Sequence, residues 1–168
     1  MIEGFAPSGA WRADVIADFA RSELFDRTFQ EGMDLVEETA GYLDGSGRQE
    51  SKLLSRSAAL AYAGESMRLT TRLMQVASWL LVQRAVREGD MPPESAREER
   101  YRLGAEDICR GATTEDLPAG LLMLLDRSER LYERVRHLDR RMYIEDTEPE
   151  DANPVLSQFG RLQAAFGA

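Results

Sequence analysis

The sequence predicts an all-α fold, an antiparallel three-helix bundle with a long central helix, a short side helix and a disordered C-terminal tail. Three observations carry that expectation. Helix-favouring Leu, Ala, Glu and Arg dominate the chain. No stretch alternates apolar and polar residues between turn signals as a half-buried strand would. Apolar residues instead recur at spacings of three, four and seven over three long segments. At 168 residues, 43% apolar and 30% charged, the chain is long enough for one domain with a sizeable core and too short to argue for two. The expected division is a flexible N-terminal arm over residues 1–18, a helical bundle over 19–143, and an acidic tail with a short amphipathic segment over 144–168.

Gly4, Pro7, Ser8 and Gly9 favour a loose arm at the start. From Ser22, the residues Phe25, Phe29, Gly32, Val36, Ala40 and Leu43 place one apolar face on a first long helix. Asp44-Gly45-Ser46-Gly47 ends it: Gly45 suits a left-handed C′ position, and Ser46 with Gln49 reads as a capping box for the next helix. A phosphate-cradling reading of that glycine loop fails on context, because no strand precedes it and no Gly-Lys-Ser/Thr completes it.

The central helix spans Leu53 to Val86. In steps of seven it carries Leu53, Leu60, Met67, Met74 and Leu81, with small residues Ser57, Gly64, Thr71, Ser78 and Ala85 four positions after each. A seam of that period faces a partner helix, and the expectation is that it forms the bundle core, with the small line admitting a neighbouring backbone. Gly89 and Pro92-Pro93 end the helix. Pro93 opens a charged short side helix, Glu94 to Arg102, and Ala105 to Asp116 reads as an irregular connection. The third long helix begins after Pro118, with Leu121, Ser128, Val135 and Met142 on one line and Leu124, Leu131 and Leu138 on another.

Composition limits the chemistry. A net charge of −9 disfavours nucleic-acid binding, which rests on surplus Lys and Arg. No apolar run reaches about 18 residues, so no membrane span is expected; without a charged leader or signal core, the expected location is cytoplasmic. One Cys, Cys109, makes no internal disulfide. One His, His137, leaves a di-iron site or a zinc short of ligands, and no Gly-x-Ser-x-Gly elbow accompanies it. Glu37-Glu38 and Glu98-Glu99 diverge by about 100° on a helix and make no acid/base pair. No metal, cofactor or catalytic residue is expected, and the chain reads as a non-enzyme.

Two surfaces invite partners. Arg127, Arg130, Arg134 and Arg141 line the third helix, either as a solvated face or as a dock for an acidic segment. Beyond Ile144, an acidic stretch broken by Pro149 and Pro154 is expected to be disordered, and Val155, Phe159, Leu162 and Phe166 at helical spacing suit a binding arm. On the central helix, Arg72, Trp79 and Val86 share a mixed line with Ala58 and Glu65 beside the seam; Trp79 is either a homodimer anchor or a bundle-flank tryptophan.

Several blocks resemble a known family. Glu31-Gly32-Met33 with Leu35-Val36-Glu37-Glu38, Tyr42-Leu43-Asp44-Gly45, the run Glu65 to Met74, Ala77-Ser78-Trp79-Leu80-Leu81, Gln83-Arg84-Ala85-Val86 and Leu131-Tyr132-Glu133-Arg134-Val135 look like the RcdA family, regulators of CtrA degradation. The resemblance covers roughly residues 19 to 143. It implies a three-helix bundle that forms homodimers, carries a flexible C-terminal tail, and acts as an adaptor delivering cell-cycle regulators to the ClpXP protease with CpdR-like and PopA-like adaptors. It assigns no functional residue position by position. The rival readings are a structural or scaffolding helical dimer without a protease link and, less favoured by the charge, a DNA-binding regulator.

Overall fold

The computed structural model describes residues 8–104 and 116–143, with side chains from residue 13 onward. The described residues are helical and contain no strand: α1 (Ser8–Ala20), α2 (Glu23–Asp44), α3 (Ser46–Ser51), α4 (Arg56–Glu88) and α5 (Ala119–Tyr143). The all-α expectation holds, and α2, α4 and α5 are the three long helices of the bundle, with α4 packed against both of the others.

The N-terminal arm departs from expectation, because residues Ser8–Ala20 are helical. Ile16 and Ala20 are fully buried, and the Phe19 ring lies 6.0 Å from those of both Phe25 and Trp79. The glycines and Pro7 crowd the first nine residues, whereas Ile16, Phe19 and Ala20 recur at three and four and give the segment a face to bury. Ser22 then serves two helices. Its hydroxyl donates to the Phe19 carbonyl (2.7 Å) and accepts from the Phe25 amide (3.2 Å), closing α1 and capping α2.

At the far end of α2, Gly45 does not take the left-handed conformation; its φ and ψ are −105° and −110°. A glycine is nonetheless required, since a Cβ there would sit 2.8 Å from the Gly41 carbonyl oxygen. Ser46 begins the short α3, whose cap makes no side-chain hydrogen bond, so the expected capping box does not form. Tyr42 wedges this corner. Cβ atoms at Gly47 and Gly120 would each fall 2.6 Å from its ring, and its hydroxyl donates to Glu50 Oε2 at 2.8 Å. Burial, together with the Glu50 carboxylate, raises the Tyr42 pKa above its ordinary value.

Ser55 caps α4 by accepting from the Ala58 amide at 3.2 Å, and the helix ends at Gly89 with φ 81°, the left-handed stop its position foretells. The α4 core residues are Leu69, Leu73, Val76 and Leu80, flanked by Ala58, Arg72, Trp79, Gln83 and Val86. This overturns the expected rotation of the helix. Leu53, Leu60, Met67, Met74 and Leu81 lie outside the core, 52–87% exposed. Gly64 has nothing within 4 Å of an added Cβ, so the small line is open as well. The physical reason is that two adjacent stripes of α4 are apolar, and the one that buries Trp79 with Leu69, Leu73, Val76 and Leu80 against α2 and α5 is the one folding selects.

The α5 seam is as read from the sequence: Leu121, Leu124, Ser128, Leu131, Val135 and Met142 are buried and Leu138 is half-buried. The side segment forms two 3-10 turns, Ser95–Arg97 and Glu99–Tyr101, in place of one short α-helix, with Ala96 fully buried beneath them.

Candidate functional site: an uncharged face on the central helix

Between Arg56 and Arg84, ten residues of α4 are exposed, and none is charged: Ser57, Leu60, Ala63, Gly64, Met67, Thr70, Thr71, Met74, Ser78 and Leu81. In a chain with 30% charged residues, a solvated helix face of that length would carry several ions. An exposed, ion-free stripe centred on Leu60, Met67, Met74 and Leu81 has the character of a contact surface. Leu60 and Leu81, Met67 and Met74, and Thr70 and Thr71 lie at equal distances either side of a point between residues 70 and 71. The large residues of the stripe and its central threonines therefore recur in the same order from either end.

Two concavities flank Met74. One, of about 320 Å³, lies between α2 and α4 and is lined by Val36, Thr39, Leu43, Thr70, Leu73 and Ala77. The buried Thr39 hydroxyl beside it has no hydrogen-bond partner. The other, of about 730 Å³, lies between α4 and the Arg100–Gly104 segment, lined by Thr71, Ser78, Trp79, Leu81, Val82 and Tyr101 among others. Thr70, Leu73, Met74 and Ala77 stand at i, i+3, i+4 and i+7, as do Thr71, Met74, Gln75 and Ser78. These are the four corners of the hole that receives a knob from a facing helix.

The wall of the larger cleft is held by a polar node. Asp139, buried on α5, accepts Trp79 Nε1–H at 2.8 Å, Arg102 Nε–H at 2.9 Å and Nη2–H at 2.7 Å, and lies 3.4 Å from the Leu103 amide. The Arg102 guanidinium also covers the Tyr143 ring at 4.5 Å, and the Tyr132 hydroxyl donates to the Gly104 carbonyl at 2.7 Å. The Tyr143 oxygen accepts from Gln83 Nε2 at 2.9 Å. Burial raises its pKa to about 12; Asp139 adds to the rise, while Gln83 and the guanidiniums of Arg102 and Arg97 oppose it.

The sequence-derived sites fall as follows. Arg72, Trp79 and Val86, the expected dimer line, are inside the bundle: Trp79 is bound to Asp139, and Arg72 Nη1 donates to Ser128 Oγ at 3.0 Å. A side chain sequestered in its own core has no surface to offer a partner, so the expected interface line is core and the expected core seam is exposed. In the arginine row, Arg127 pairs with Glu38 of α2 at 2.7 Å, Arg134 pairs with Glu31 of α2, Arg130 pairs with Asp126 at 2.8 Å, and Arg141 is exposed. Two of the four arginines, Arg127 and Arg134, thus clamp α5 to α2. Val155, Phe159, Leu162 and Phe166 lie outside the described residues, as does Cys109. What the sequence signals all along is the uncharged run itself, read first as core because periodicity alone does not say which side of a helix faces its own chain.

Among the described residues no group of three or more His, Cys, Asp or Glu is placed to hold a metal ion, and no helix is long and apolar enough to cross a membrane. His137 is exposed on α5.

Comparison with known proteins bears on this arrangement. Residues 16–166 match the model of a family described as a protein of unknown function, DUF1465. No curated protein matches the chain. Among solved structures it is similar to RcdA from Caulobacter crescentus CB15, with 73% identity and a TM-score of 0.65 over 76% of this chain and 98% of that one. The blocks of α2, α4 and α5 that build the bundle and its outer face therefore have the company their sequence implies: this chain belongs to the RcdA family.

Proposed function

We propose that the protein is a non-enzymatic adaptor in regulated proteolysis, a cytoplasmic homodimer that helps deliver cell-cycle regulatory proteins to the ClpXP protease together with CpdR-like and PopA-like adaptors. The observation that carries the reading is the ion-free face of α4, ten exposed residues built for protein contact. The name of the solved relative, a regulator of CtrA degradation, supports a role in regulated proteolysis.

The homodimer rests on the symmetry of that face. Two copies of α4 laid antiparallel about the point between Thr70 and Thr71 bring Leu60 against Leu81, Met67 against Met74 and Ala63 against Ser78 of the second copy. A two-fold interface requires this self-complementarity, and the large-against-large, small-against-small register lets each Met enter a hole beside the other.

The test is degradation of purified cell-cycle regulators by ClpXP and a CpdR-like adaptor, with and without this protein. Addition should accelerate loss of at least one regulator. Unchanged rates for every regulator, with the dimer intact, would leave a scaffold without a protease link. Replacing both Met67→Glu and Met74→Glu should convert the dimer to monomer in sedimentation while helicity and melting persist; an unchanged mass would move the interface elsewhere.

A further inference from the structure

The groove between α2 and α4 lies on the flank of that pair turned away from α5, and no residue of any other element lines it. We propose that it takes an amphipathic helix of a partner protein, one with Lys or Arg beside its apolar stripe. The inference rests on the adaptor reading and deepens it by naming the chemistry of what is held.

The first support is shape. Val36, Ala40 and Leu43 recur at four and three on the α2 wall, and Thr70, Leu73, Met74 and Ala77 stand at i, i+3, i+4 and i+7 on the α4 wall. Two rows of this spacing form a groove into which a third helix lays its apolar face. Ala40 and Gly41 are exposed on α2, and a Cβ added at Gly41 meets nothing within 4 Å, so the wall is low enough for a backbone to come close.

The second is a polar group without an answer. Thr39, 4% exposed, lines the same pocket, and its hydroxyl has no hydrogen-bond partner among the described residues. Hydroxyls in a completed interior are bonded, so this pocket is incomplete as the lone chain builds it.

The third is charge. The acids of α2 that face its neighbours are already matched: Glu31 and Glu38 by Arg134 and Arg127 of α5, and Asp26 by Arg87 of α4, while Asp34 is bonded to Gln30. Glu37 and Asp44, one heptad apart, are exposed at the groove, Asp44 as part of its lining, and neither has a cation partner among the described residues. The exposed residues of α4 from Ser57 to Leu81 carry no charge, and Arg84 at the far end is bound to Glu88 and covers the Phe29 ring. Arg48 and Lys52, in and after α3, are exposed and make no ion pair with Asp44. An apolar groove with an unmatched acidic edge selects a stripe flanked by cations. The ion-free face of a second copy brings no cation to that edge, and the groove shares only Thr70 and Met74 with the α4 stripe.

Binding is measured on the full chain with a fluorescent synthetic peptide of about four helical turns, Leu at every third and fourth position and Lys flanking the Leu stripe. A control peptide carries the same residues in an order without a stripe. The chain should bind the striped peptide and not the control. In methyl-labelled valine spectra, Val36 of this pocket should shift on binding, and Val82, which lines only the larger cleft, should not. Glu37→Gln with Asp44→Asn should weaken binding about fivefold and flatten its salt dependence. Ala40→Trp, at an exposed position, should fill the groove and abolish binding with melting unchanged. Equal binding of the two peptides, a shift of Val82 rather than Val36, or undiminished binding in either variant overturns the proposal. Failure of the striped peptide to bind means that the groove is closed by a second copy or by another part of the chain, and the proposal falls as well. Neither protease nor regulator is present, so a negative result here leaves the degradation experiment standing, and unchanged degradation leaves a groove that still binds.

Discussion

Asp139→Ala tests the node on which the fold and the cleft both depend. The carboxylate is buried and engages Trp79, Arg102 and the Leu103 backbone, while the Arg102 side chain is only 16% exposed. Truncation leaves a mostly buried guanidinium without its counter-charge and an indole N–H without an acceptor. Breaking a buried pair from one side costs about 3–5 kcal/mol, and the orphaned donor is part of that cost rather than an addition to it. Against a total stability of about 5–15 kcal/mol, the loss is a large fraction, equivalent to about 6–20 °C in melting temperature for a chain of this size. Urea denaturation measures it. Arg102→Met should cost less than Asp139→Ala, because Asp139 keeps Trp79 and the Leu103 amide as donors. The double variant Asp139→Leu, Arg102→Met should cost clearly less than the sum of the two single changes, since no charge is then stranded. Amide exchange should speed up at Leu103 and its neighbours in the single Asp139→Ala variant, as the side segment loses its anchor. A cost under about 1 kcal/mol, or strict additivity in the cycle, would refute the view that this carboxylate holds the segment in place.

Two further outcomes are expected. Gly64→Ala, made in the Met67→Glu, Met74→Glu background so that the proposed dimer does not mask the effect, should raise stability by up to about 1 kcal/mol in urea titration, because the added Cβ meets nothing among the described residues and the helix gains a better former. Tyr143, held neutral to about 12 when folded but free to ionise near 10 when unfolded, contributes stability that is complete below pH 10 and lost as pH rises from 10 through 12. The loss across that window is on the order of 2–3 kcal/mol, and melting temperatures measured from pH 9 to 12 should fall less steeply for Tyr143→Phe.

The sequence makes α5 legible because only one of its stripes is apolar: with Arg127, Glu133, Arg134 and Arg140 on the other faces, Leu121, Leu131 and Val135 have one way to be buried. The helix stop at Gly89 is legible for a similar reason, since its left-handed conformation and the prolines beyond leave no alternative. On α4 the same rules cease to discriminate. Its apolar residues surround most of the helix, and a heptad seam packs equally well against the chain's own helices or against another molecule. Trp79 invites an interface reading because large aromatics anchor interfaces, yet its N–H is satisfied by Asp139, sixty residues away, and no local pattern announces that partner. The helical turns of α1 are hidden by glycines and a proline confined to its beginning.

Why α4 should be apolar on two sides follows from what each side packs against. The inward stripe, Leu69 to Leu80, is filled by α2 and α5, and no methyl group of Met67 or Met74 contributes to that core. Folding stability therefore sets no requirement on the outer stripe, which would be expected to drift toward charge if water were its only neighbour. Its freedom from ions over seven turns is what the proposed protein contact accounts for. The Asp139 node then ties the two sides together: the residue that satisfies the core Trp79 also fixes Arg102 and Leu103, and with them the Tyr101–Gly104 wall of the cleft that opens beside Leu81. The shape of the cleft beside Leu81 therefore depends on a contact made inside the bundle.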